Sequence, residues 1–187
     1  MRKKVLVIHP SDKSTTFLNI IYEKHLSDKN WTIVNNCNIS KQELKDLIEA
    51  HDKVIMMGHG TPYGLINPQK GGFLVDPTFV PYLKEKETIS IWCHSNMFFE
   101  RFGMKGFHTG MIISEVAEAD FVLDKTPLNK KETLENMIMF SKALRDCISK
   151  TPNQMRKHVL DNYVGEDEVT QYNRANIIVL DKNGKRV

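Results

Sequence analysis

The chain has 187 residues, 41% hydrophobic and 26% charged, and its 26 Lys and Arg against 23 Asp and Glu leave a formal charge of +3. That length fits one domain (1–187) with a sizeable core, and the composition excludes a disordered or fibrous chain. The small, scattered charge excludes a nucleic-acid surface, and the three well-separated cysteines Cys37, Cys93 and Cys147 exclude a disulfide framework and point to a reducing, cytoplasmic setting.

The start, Met1-Arg2-Lys3-Lys4, leads into an apolar run of only Val5 to Ile8, too short for a secretory leader. No window approaches the roughly 18 apolar residues of a membrane span, so no membrane partner is expected. Val5-Leu6-Val7-Ile8 reads as a strand buried on both faces. Ser14-Thr15-Thr16 then opens a helix with the stripe Phe17, Ile20, Ile21, Lys24 and Leu26. Residues 31–34 form a second strand, and Ser40 with Glu43 caps a helix carrying Leu44, Leu47 and Ile48.

The third strand, Val54 to Met57, runs straight into Gly58-His59-Gly60. Residues 64–66 and 72–75 read as a hairpin, Asp76 caps a short helix, and residues 88–92 form a fourth strand ending at Cys93-His94-Ser95-Asn96. Beyond it come a short helix with Met97, Phe98 and Phe102, a strand near 107–113, a mobile loop at 123–131, a helix over 134–148, a shorter helix over 153–164 and a strand at 175–180. Short apolar strands alternating with helices predict an α/β domain, a three-layer α/β/α sandwich on a mostly parallel sheet. Cys37, Cys147, Met137 and Met139 read as packing residues.

Ligands of open α/β sheets sit beyond the carboxyl ends of the strands, so His59 and Cys93 belong to one candidate site. A thiolate nucleophile beside an imidazole base or acid is the division of labour that acyl transfer needs. The glycines flanking His59 permit a sharp turn, and the Gly60 amide can join the Cys93 amide as an oxyanion hole. This chemistry requires no metal and no organic cofactor.

Val54-Ile55-Met56-Met57-Gly58-His59-Gly60, followed by a hairpin and then Ile89-Ser90-Ile91-Trp92-Cys93, resembles the caspase, legumain and gingipain clan of cysteine peptidases. The likeness covers about residues 4–120. It implies a caspase-like sandwich, His59 as general base or acid, Cys93 as nucleophile, Gly60 and Cys93 amides as the oxyanion hole, and a peptide or protein substrate. The caspase Gln-Ala-Cys signature is absent and His94-Ser95-Asn96 follow the cysteine, so aspartate specificity is not implied. Glu115 and Glu118 fall where the clan builds substrate-binding walls and would select a basic side chain; as plain helix starters, the same residues would serve a helix dipole.

Three alternatives accompany this reading. One is a binding or regulatory protein that keeps the fold without activity. Another is a flavodoxin-like ligand binder using Ser11 to Thr16, whose hydroxyls at a helix start favour anions although the phosphate-loop glycines are missing. The third gathers Cys93, His94, His59 and His108 as zinc ligands, at spacings that match no familiar zinc pattern. Substrate identity and oligomeric state are not legible.

Overall fold

Strand β1 (Val5–Ile8) is buried along its whole length because both faces of its sheet are covered, which is why it reads as an unbroken apolar run. The computed structural model describes residues 2–123 and 128–187. After β1 come β2 (Trp31–Val34), α1 (Lys41–Glu49) and β3 (Lys53–Met57), with α1 opened by the expected Ser40–Glu43 capping box. A separate three-stranded antiparallel sheet follows, made of β4 (Gly60–Thr61), β5 (Gly64–Ile66) and β6 (Phe73–Val75). Short α2 (Val80–Leu83) leads to β7 (Glu87–Ile91), then α3 (Ser95–Arg101) and β8 (Gly106–Thr109). The chain closes with α4 (Val116–Leu123), α5 (Lys130–Arg145), α6 (Pro152–Asn162), α7 (Glu168–Ala175) and β9 (Ile177–Leu180).

The main sheet runs β2-β1-β3-β7-β8-β9, parallel throughout except for β9 against β8. Side chains alternate faces along each strand. Val5, Val7, Ile55, Met57 and Ile89 pack with Leu18 and Ile21 and with α5 and α6, while Leu6, Ile8, Val54 and Met56 pack with α1, α2 and α3. Two helical layers therefore enclose the sheet. No helix among the described residues is long and apolar enough to cross a membrane.

Four local expectations are corrected. The α-helix after β1 is instead a pair of 3-10 turns, Thr16–Ile21 and Glu23–His25. Its buried anchors Leu18 and Ile21 are three residues apart, the repeat of that tighter helix. The strand expected over 107–113 leaves the ladder after Thr109, and Ile113 is taken by Asn173 of α7, whose Oδ1 accepts from Ile113 N at 2.7 Å and whose Nδ2 donates to Ile113 O at 3.0 Å. Helix α7, polar in sequence and without an apolar stripe to predict it, buries Val169, Thr170 and Asn173. Helix α5 starts at Lys130 rather than at 134 because Asn129 and Glu132 form a capping box. That assigns the end of the expected 123–131 loop to a helix, and its residues 124–127 lie outside the described residues.

Candidate active site

Strands β3 and β7 are adjacent and parallel, so His59 and Cys93 emerge at the same carboxyl edge of the sheet. Each glycine flanking His59 has its own reason. Gly58 has a φ of +136°, a conformation L side chains rarely adopt. A Cβ on Gly60 would lie 2.1 Å from Trp92 Cδ1, so only glycine lets the Trp92 ring close over β4. Trp92 Nε1 also donates to Thr61 O at 3.1 Å, stapling the His59 segment to the residue before Cys93.

The His59 ring is held by the loop after β1, where Ser14 Oγ lies 2.7 Å and Asp12 Oδ2 3.1 Å from Nε2. Ser14 Oγ donates its one proton to Asp12 Oδ1 at 2.9 Å, so toward His59 it acts as an acceptor. Nε2 therefore carries hydrogen, and in the neutral ring Nδ1 is left with a free lone pair. Asp12 is itself fixed, because Ser14 N, Thr15 N and Thr15 Oγ1 also donate to its Oδ1. Those bonds and the nearby imidazole outweigh its partial burial and hold its carboxyl below the usual range.

Cys93 sits in the turn from β7 into α3. His94, next in sequence, has φ 63°, the one non-glycine with positive φ among the described residues. Such left-handed turns are costly and persist where surrounding bonds over-determine them. Here His94 N donates to Gly110 O at 3.0 Å, Thr109 Oγ1 donates to Trp92 O at 2.9 Å, and Ser95 Oγ is buried between Ser90 O and Thr109 O. Among the described residues the Cys93 thiol makes one long hydrogen bond, 3.8 Å to Ile112 O. Burial pushes it up to about 11, with the Glu118 carboxylate acting in the same direction, so the resting thiol is protonated at neutral pH.

His59 and Cys93 line one cavity of about 40 Å³, walled by Gly58, Trp92, Ile112 and Glu118. That space suits a few water molecules and not a side chain. Ile66 N donates to His59 O at 2.8 Å, which makes Gly60 and Leu65 a non-hydrogen-bonded pair and leaves the Gly60 N–H outside the β4–β5 ladder. The Cys93 N–H has no acceptor among the described residues. Among the described residues both amides thus keep a free donor.

The other predicted residues separate. Glu118 Oε2 accepts from Ser114 N at 2.7 Å, Ser114 Oγ at 3.0 Å and Glu115 N at 3.0 Å, so this carboxylate secures the start of α4 as well as edging the cavity. Glu115 is exposed one turn away. The zinc grouping does not assemble: His108 is fully buried, bonded to Ser90 Oγ and stacked 4.0 Å from the Phe99 ring, and among the described residues no three His, Cys, Asp or Glu could hold a metal ion. In the Ser11 to Thr16 loop, the donors Ser14 N, Ser14 Oγ, Thr15 N and Thr15 Oγ1 are directed at the chain's own Asp12 carboxylate. Cys37 and Cys147 are buried, as expected of packing residues.

Asp12 and Ser14 were missed as site residues because nothing in Ser11-Asp12-Lys13-Ser14 says that the loop after β1 reaches the end of β3. Adjacency of β1 and β3 in the sheet was the available hint. No protein-family model matches the chain, and no curated protein matches it.

Proposed function

We propose that the chain is a cysteine hydrolase of peptide bonds, a distant caspase-like member of the caspase, legumain and gingipain clan, with Asp12 orienting His59 and His59 serving Cys93. The supporting observation is the bonding of His59: Nε2 is tied to Asp12 and Ser14, Nδ1 has no partner among the described residues, and the ring lines the same cavity as Cys93. Two readings of one sequence converge there, since the loop that suggested ligand binding is the one that holds the histidine.

In this mechanism the Cys93 thiol gives its proton to His59 Nδ1, and the thiolate attacks the scissile carbonyl carbon. The carbonyl electron pair moves onto oxygen, which accepts from the Gly60 and Cys93 N–H groups. Collapse breaks the carbon–nitrogen bond, the departing amine takes the proton from His59, and a thioester remains. Water then loses a proton to the same nitrogen, cleaves the thioester and restores the thiol with release of a carboxylic acid. Since the resting thiol is protonated, ionisation accompanies substrate binding and does not precede it.

That protonated thiol also favours one other reading, an inactive binding protein on the same fold. Competition between a peptidyl vinyl sulfone and iodoacetamide, with the modified residue located by peptide mass spectrometry, separates the two. Substrate-like labelling confined to Cys93 and slowed about 100-fold or more in His59→Ala supports the hydrolase. Equal labelling in wild type and His59→Ala sinks it.

A further inference from the structure

Immediately beside the 40 Å³ cavity at Cys93 opens a groove of about 710 Å³, and the two share Ser114. Ser14, whose oxygen is 2.7 Å from His59 Nε2, also lines the groove, so its mouth borders the dyad. Sites for small ligands and side chains occupy roughly 300–1,000 Å³, a range that includes the groove and excludes the inner cavity. A substrate held over Cys93 has this groove directly alongside, across Phe17 and Ser114.

The groove lies between the loop after β1 and the first turns of α4 and α5. Its apolar surface comes from Phe17, Val116, Ala117 and Leu134, and Leu134 is 50% exposed although it points from a helix into a concavity. Exposed leucine in a recess leaves apolar area that a ligand can remove from water. Among the described residues that line it, Lys13 and Lys130 have no ion partner and Glu115 is the one carboxylate, so that lining is net positive. Glu132, whose Oε2 accepts from the Asn129 N–H, keeps its charge but is not among the residues that line the groove, and Lys131 pairs with Glu135.

We propose that this groove is the specificity subsite and that it takes a large apolar side chain, leucine-like or phenylalanine-like, from a peptide whose neighbouring residue is acidic. The inference rests on the hydrolase reading for its catalytic meaning, while the binding itself needs no turnover. It differs from selection of a basic residue by Glu115 and Glu118: one oxygen of Glu118 already holds the start of α4, and Glu115 shares the groove lining with Lys13 and Lys130.

The test is fluorescence anisotropy on the Cys93→Ala protein with three fluorescein-labelled hexapeptides, bearing a central Asp-Leu, Asp-Ser or Lys-Leu pair. The Asp-Leu peptide is expected to bind about 10-fold or more tightly than Asp-Ser, the scale of burying one leucine side chain. It should exceed Lys-Leu by about 3-fold at low salt, with that margin shrinking at high salt. Leu134→Gln, which removes the apolar surface without adding charge, should erase the leucine preference while the margin over Lys-Leu persists at low salt. Equal affinity for the three peptides, or a leucine preference that survives Leu134→Gln, overturns the proposal. Leucine-selective binding to Cys93→Ala without cleavage by wild type would keep the groove and reject the hydrolase, whereas Cys93-dependent cleavage indifferent to the leucine would do the reverse.

Discussion

Cys93 and Cys147 hold their protons with similar tenacity, both thiols being pushed up to about 11 by burial, yet they sit in opposite surroundings. Cys147, just past α5, donates to Ala143 O at 3.3 Å and Leu144 O at 3.4 Å inside the core. Among the described residues Cys93 has one hydrogen bond, at 3.8 Å, stands in a left-handed turn and shares a cavity with an imidazole that keeps one nitrogen unbonded. Proton affinity alone therefore does not mark the candidate nucleophile. What differs is the presence of a base, free amide donors and an adjoining groove.

The largest expected contrast is genetic. Cys93→Ala should abolish hydrolysis, by about 10³-fold or more, with little change in stability. Cys147→Ala should keep kcat within about 2-fold and lower the urea midpoint by the equivalent of about 1–2 kcal/mol, as expected for a small core cavity. Similar kinetic losses in both variants would erase the distinction.

Acid should act on the scaffold before it acts on either thiol. Burial lowers His9 to about 4 and His108 to about 3, so both are neutral in the fold while the unfolded chain protonates near 6.5. The unfolded state then binds more protons, and stability present above pH 6.5 is lost as pH falls toward those values. His9 alone accounts for about 3 kcal/mol at pH 4. Urea titrations at pH 7, 5 and 4 should show that decline; a flat profile would mean that the two histidines are not buried as neutral rings.

Alkylation sharpens the comparison further. With the Cys93 thiol about two units above its ordinary value, the free protein should react with iodoacetamide about 100-fold more slowly at pH 7 than an ordinary thiol, with the rate still rising beyond pH 9. Peptide binding should accelerate Cys93 and leave Cys147 unchanged. A plateau below pH 8 in the free protein would reveal a resting thiolate and contradict ionisation on binding.

The smallest effect expected is that of Asp12→Asn. The amide still offers an oxygen to the loop, but it removes the charge beside Nε2 that favours the imidazolium formed as Cys93 ionises, so kcat should fall about 10-fold with KM little changed. A raised KM with an unmoved kcat would assign Asp12 to loop structure alone.

The alternation of buried strands and helices was legible in sequence because an apolar run such as Val54 to Met57 has few other places to go than the middle of a covered sheet. The ends of those runs therefore placed His59 and Cys93 at one edge. The tight turns around them were legible in outline, since Gly58 and Gly60 advertise backbone demands. Less visible were the 3-10 turns after β1, where a three-residue spacing of buried anchors resembles a helical one, and α7, whose polar residues Thr170 and Asn173 are buried because they hydrogen-bond to other elements.

What the sequence determined by itself is local: strand against helix, capping by Ser40, and the residue types that end each strand, all written in periodicity and propensity over a few neighbours. Only the tertiary structure decided that Asp12 and Ser14 meet His59 across 45 or more positions of chain, that Glu118 secures the start of α4, and that the large groove lies beside the thiol rather than behind it. Those contacts depend on strand order and on how far each loop projects from the sheet. No single segment of sequence carries them, because packing of the whole domain sets both.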